Sequence, residues 1–148
     1  MTSKADFSED EWTTIKEGPT SAGMAVIGAS KGGTIRETFS MARAYAEARA
    51  THGESELLDA LVGEKPKMDK TKAHSYEELL FRNVQKVRDA IALVQARASE
   101  SELDQYRDFI RGLCTRVAEA HEEDGQKVSP GEQTAMEQIE TALRDQPL

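Results

Sequence analysis

An all-α, single-domain helical bundle of about seven helices is the fold class this sequence predicts, and three observations lead to it. A serine or threonine followed three residues later by glutamate recurs at Ser8/Glu11, Thr34/Glu37, Ser75/Glu78, Ser99/Glu102 and Ser129/Glu132. That is the spacing of a capping box, in which each side chain satisfies a backbone amide that a helix start leaves open. Downstream of these boxes apolar residues return every three or four positions, the period of one helix face. No window alternates apolar and polar residues with β-branched content, so no strand is expected.

The first helix is expected over about 8–17, with Phe7 and Trp12 placed as a hydrophobic staple around the Ser8 box. It should stop at Gly18-Pro19, where glycine can take a left-handed cap and proline can begin a new helix. The second, PTSAGMAVIGAS at 19–30, is small and apolar all round, which predicts burial. The third, about 34–50, places Ile35, Phe39, Ala42 and Ala46 on one face, and a short fourth covers 54–62. GEKPKMDKTKAH, 63–74, holds four lysines and a proline and reads as a flexible linker crossing one end of the bundle. Two long helices follow, striped by Leu80, Val84, Val87, Ile91 and Val94, then by Leu103, Tyr106, Ile110, Leu113, Val117 and Ala120. A short turn at 98–100 folds them into an antiparallel hairpin. The last helix, 130–144, offers Ala135, Met136, Ile139, Ala142 and Leu143 to the same core.

At 148 residues the chain is long enough to bury one substantial core without a covalent staple, so residues 1–148 are read as one domain. The lone Cys114 lies in an apolar run and has no partner for an internal disulfide, which fits a reduced, cytoplasmic setting. Net charge is −8, concentrated in 99–148, where twelve Asp and Glu face five Lys and Arg. Such a surface repels a phosphate backbone, and no basic cluster with interleaved aromatics offsets it, so nucleic acid is not an expected partner. No basic segment precedes an apolar leader, and no apolar run reaches the length of a span, so neither secretion nor membrane insertion is expected.

GASKGGTIRE, 28–37, superficially resembles a phosphate-gripping loop, but the residues after Gly33 are Thr34 and Ile35 rather than lysine and hydroxyl, and Lys31 precedes the glycines. Gly32-Gly33 is therefore read as a helix end and Thr34 as the next cap. The acidic stretch HEEDGQKVSPGEQ, 121–133, is the other candidate. One helix ends in Glu122, Glu123 and Asp124, and Glu132 lies in the first turn of the next, so two helix ends can converge several carboxylates. Oxygen donors without thiolates suit calcium, magnesium or manganese, which makes Glu123, Asp124 and Glu132 the candidate metal residues. No metal or other cofactor is required by the sequence. His52, His74 and His121 show no zinc-like spacing, and no Glu-x-x-His motif is present. No catalytic constellation emerges.

VAEAHEEDGQKVSPGEQTAMEQIETAL, 117–143, resembles the acidic helix-turn-helix of the tellurite-resistance TerB-like proteins, through Ala120, Asp124, Gly125, Val128, Ser129 and Glu132. His121-Glu122-Glu123 lengthens the turn relative to the family form. A fainter echo runs through AVIGASKGGTIRETFSMARAY, near 25–45, with Glu37 opening the next helix and lysine or glycine where the aspartate would be. The resemblance implies a compact cytoplasmic domain associated with stress response or membrane-linked complexes, with divalent-ion roles for Asp124 and Glu132 and with Glu123 nearby. Taken together, the leading expectation is a non-enzymatic interaction or regulatory domain, with a protein partner or a homo-oligomer meeting a small-residue surface over 19–33. The alternatives are a divalent-metal-responsive TerB-like stress protein using the acidic 119–132 turn, and a small-molecule enzyme of unidentified class.

Overall fold

Gly18-Pro19 does not end the first helix. In the computed structural model, which describes residues 3–29, 34–51, 55–64, 66, 75–123 and 130–144, and only the backbone of 29, 34–37 and 121–123, one helix runs through both residues. A 3-10 turn at Lys4–Asp6 is followed by α1 (Glu9–Ala29), α2 (Thr34–Ala50), α3 (Glu56–Gly63), α4 (Tyr76–Arg97), α5 (Glu100–Glu123) and α6 (Pro130–Arg144). Among the described residues the fold is an all-α bundle of six α-helices and a short turn, with the two expected N-terminal helices fused into α1. No strand occurs among the described residues. The expected linker falls largely outside them, as do the Gly32-Gly33 turn and the Asp124 turn.

α1 survives its proline because the damage is repaired from elsewhere in the chain. Proline inside a helix has no N–H for the carbonyl four residues back, a defect worth roughly 3 kcal/mol together with its steric clash. Here that carbonyl belongs to Ile15, and the buried Tyr106 hydroxyl donates to it at 2.7 Å. Gly18 helps twice. Lacking a Cβ, it relieves the crowding that proline imposes on the preceding residue, and it leaves room for the Tyr106 hydroxyl to reach the helix. A Cβ at the same position would also meet the Ala90 Cβ at 2.9 Å, so Gly18 lies against both α4 and α5. Ala90 and Tyr106 are about equally far from the Ala98-Ser99 link, which shows the long hairpin folding back on itself around α1.

α1 is accordingly the axis of the bundle. It packs most extensively on α4 and also touches α5, α6 and α2, while α4 and α5 meet each other much less. Ile15, Ala22, Ala25 and Val26 are wholly enclosed. The predicted burial of 19–30 is therefore observed through Ile27, with Met24 partly covered, but this segment forms interior and not an external small-residue surface. The expected stripes of the long helices are buried throughout. In α6, Ala135, Ile139, Ala142 and Leu143 are buried and Met136 is partly covered.

The face expected of α2 is wrong. Ala42 and Ala46 are exposed and Phe39 is 67% exposed, whereas Met41, Ala44 and Tyr45 enter the core; the side chain of Ile35 lies outside the described set. Tyr45 sets the rotation, meeting Phe109 edge to face with ring centroids 5.1 Å apart, and the Met41 sulfur occupies the space left by Gly23.

Local caps begin the helices, and one polar cluster fixes the end of the bundle where α1 begins. Ser8 N–H donates to Glu11 Oε1 at 2.8 Å and Glu11 N–H to Ser8 Oγ at 3.1 Å, closing the predicted box, and Phe7 stands 6.1 Å from the Trp12 ring as its staple. The Ser99/Glu102 box also closes, and Ser75 and Ser55 cap α4 and α3 through the amides of Glu78 and Leu58. Trp12 Nε1 donates to Glu64 Oε2 at 2.7 Å, with Lys4 and Lys16 beside the same carboxylate at 3.3 and 3.4 Å. Burial pushes the Glu64 carboxyl up, but the Trp12 and Lys4 hydrogen bonds and the Lys16 charge outweigh it and hold the group below the ordinary carboxylate value. Arg97 at the end of α4 pairs with Glu11 and lies 5.6 Å over the Phe7 ring.

The Tyr106 repair predicts a specific coupling. Tyr106→Phe should lower unfolding free energy by about 1–3 kcal/mol, the cost of a buried carbonyl left unmatched. In a Pro19→Ala background the loss should shrink, because the substituted residue then supplies the backbone N–H that the Ile15 carbonyl lacks. Urea denaturation of the four chains of this double-mutant cycle checks it, and equal losses in both backgrounds would contradict the repair.

Candidate functional site

α5 and α6 each turn their main apolar stripe toward the other helices and touch one another only lightly. A groove of about 340 Å³ remains between them. Cys114 and Thr115 come from α5, and Met136, Ile139 and Leu143 from α6. The floor is apolar because Cys114, Ile139 and Leu143 also belong to the core, while Thr115 is exposed on the lip.

Charged side chains clamp the groove. Arg111 Nε donates to both oxygens of Glu140, at 2.9 and 3.1 Å, and Arg111 Nη1 donates to Asp108 Oδ1 at 2.9 Å. Two carboxylates thus hold the guanidinium in a fixed fork. At the far end of α6 Arg107 Nε donates to the Leu143 carbonyl at 2.7 Å, satisfying one of the acceptors that a helix C-terminus leaves open. Glu137 stands on a ridge, lining this groove and also a depression of about 290 Å³ between α4 and α6 formed with Val84, Arg88, Gln138 and Thr141.

Cys114 lies at the bottom of the groove but is not poised as a nucleophile. Burial, with a smaller contribution from the Glu140 charge, pushes its thiol up to about 12, so the protonated form dominates at neutral pH. The apolar run in which the sequence places Cys114 agrees with its 3% exposure.

The acidic corner is described only in part. Glu123 is the last residue of α5, without a described side chain, and Asp124 lies outside the described residues, as does Ser129 of the last predicted box. Glu132 is completely buried in the first turn of α6, and its charge, after burial and Glu77, helps raise the Tyr76 phenol above its ordinary value. Among the described residues no three of His, Cys, Asp or Glu are grouped to hold a metal ion. His52 and His74 also lie outside the described residues, and the side chain of His121 is not described.

The groove residues Arg111, Thr115, Met136, Glu137 and Glu140 were not singled out by sequence reasoning, although Met136 had been placed on the core face. Their signal was weak. Cys114 and Met136 sit at the margins of two apolar stripes, and a gap between helices depends on how far those stripes diverge in space. No family model matches the chain, and neither characterised proteins nor solved structures supply a match. No helix among the described residues is long and apolar enough to cross a membrane.

Native Cys114 should react with a disulfide reagent at pH 8 on the order of 10³-fold more slowly than in the unfolded chain, from its smaller thiolate fraction alone. Timed absorbance with and without urea measures this. Equal rates would mean that the groove floor is open.

Proposed function

We propose that this chain is a non-enzymatic interaction module, and that its α5–α6 face receives a helix of another protein. The apolar groove carries the reading. It lies at the low end of the volume of whole-ligand pockets, about 300–1,000 Å³, a size suited to a few anchoring side chains, and it runs between two helices as helix-in-groove recognition requires. The polar groups around it are engaged in structure: Arg111 is held by two carboxylates, Arg107 caps α6, and the Cys114 thiol stays protonated. Thr115→Arg would fill the groove from an exposed position without touching the core. Wild-type chain immobilised in an extract of its source cells should retain a partner that the folded Thr115→Arg chain loses. Identical retention by the two chains would remove the α5–α6 face from the function.

A second reading keeps the TerB-like expectation, a divalent-metal-responsive stress protein. It is supported by Glu132, a carboxylate fully enclosed in the first turn of α6, nine residues along the chain from Glu123 at the end of α5. Glu123, Asp124 and Glu132 would offer hard oxygen donors to calcium, magnesium or manganese. Isothermal titration of metal-stripped protein should then give saturable heat that an Asp124→Ala chain, folded by circular dichroism, loses. No heat up to millimolar ion would return these residues to capping and solvation.

A further inference from the structure

We propose that the helix accepted by the α5–α6 groove is a basic amphipathic one, with lysines or arginines flanking its apolar anchors; this deepens the interaction reading and rests on it. Charge points to that partner. α5 and α6 together carry ten Asp and Glu against four Arg, a net −6 of the chain's −8, and the groove itself is lined by Glu137 and Glu140 against Arg111. Arg111 offsets only part of this, since its guanidinium is divided between Glu140 and Asp108. Glu137 has no ion pair among the described residues and stands exposed on the ridge of α6. Along the outer lip of α5, Asp104 and Asp108 are 62% and 72% exposed even with Arg107 and Arg111 beside them, and Glu119 continues the same exposed face. An apolar floor between acidic lips complements leucine-like anchors at spacings of three, four and seven residues, with cations on either side.

Gly112 is a second, separate sign. It is exposed in the middle of α5, on the lip beside Asp108 and Thr115, and a Cβ built there meets nothing within 4 Å. Glycine inside a helix is unfavourable relative to alanine, and no described residue packed against Gly112 requires it. Its missing side chain leaves the lip flat where a partner backbone would cross, as small residues do where two helices approach closely.

The test is fluorescence anisotropy with two labelled probes of about 20 residues, long enough to be helical in isolation: an amphipathic leucine–lysine peptide and its leucine–glutamate counterpart. The lysine peptide should bind saturably, at least about tenfold more tightly than the glutamate peptide, and more weakly as salt is raised. Thr115→Arg and Glu137→Lys should each weaken it about tenfold, whereas Glu77→Lys, an equal charge change on the exposed start of α4, should leave it within about twofold. All three positions are exposed, and circular dichroism confirms that each chain is folded. Equal effects of Glu137→Lys and Glu77→Lys would reduce the binding to diffuse charge attraction and overturn the proposal. Preference for the glutamate peptide, lost in Thr115→Arg, would overturn the basic partner while leaving the interaction reading in place. Indifference of both probes to Thr115→Arg, or concentration-dependent self-association in place of peptide binding, would overturn the proposal as well.

Discussion

The hydrogen bond from Tyr106 to the Ile15 carbonyl is the constraint on which the bundle depends. α1 is the helix around which the others pack, and it carries a proline where its backbone ladder should be continuous. Without an outside donor the Ile15 carbonyl would be left unmatched inside the core, where α1 lies against α4 and α5. The donor must reach in from a neighbouring helix, and it must pass a residue without a Cβ. Tyr106 and Gly18 meet those demands, 2.7 Å from the acceptor and with no solvent to compete. The same contact draws α5 onto α1, so one polar interaction both repairs a helix and places a neighbour.

Much of this fold was legible in the sequence because its large apolar residues are spaced regularly. Val84, Val87, Ile91 and Val94, or Ile110, Leu113 and Val117, leave little choice of face, and all of them are buried. The Ser8 and Ser99 boxes formed for an equally local reason, three-residue reach. Pro19 misled because its rescue comes from a hydroxyl 91 residues beyond the carbonyl it serves, and local rules see only the missing amide. α2 misled because alanines lie on every side of it, so its orientation was decided by Tyr45 finding Phe109 and Met41 finding Gly23. The groove was least legible. It lies between two helices that touch only lightly, and their individual stripes give no sign of the gap.

The acidic C-terminal half gains a different meaning from this arrangement. Read along the sequence, its carboxylates gather at 121–133 and suggest an ion. In three dimensions Glu132 turns inward, Glu140 and Asp108 hold Arg111, and Glu137 stands exposed between two depressions. Carboxylates that seem equivalent in composition are divided among a buried position in the first turn of α6, a clamp and an open ridge. The open ridge is the part available to another molecule, and it borders an apolar floor.

Trp12 is the chain's one tryptophan, and its indole sits where the start of α1, the end of α3 and the end of α4 converge, bonded to Glu64 and beside Phe7 and Arg97. The protein therefore carries its own optical reporter of assembly. Indole emission depends on local polarity and on nearby quenchers, so it registers the closing of that end without any label. Because the α5–α6 groove is lined by other residues, a signal from Trp12 on partner binding would reveal strain transmitted along α1, and a silent Trp12 would mark the groove as an independent unit of the bundle.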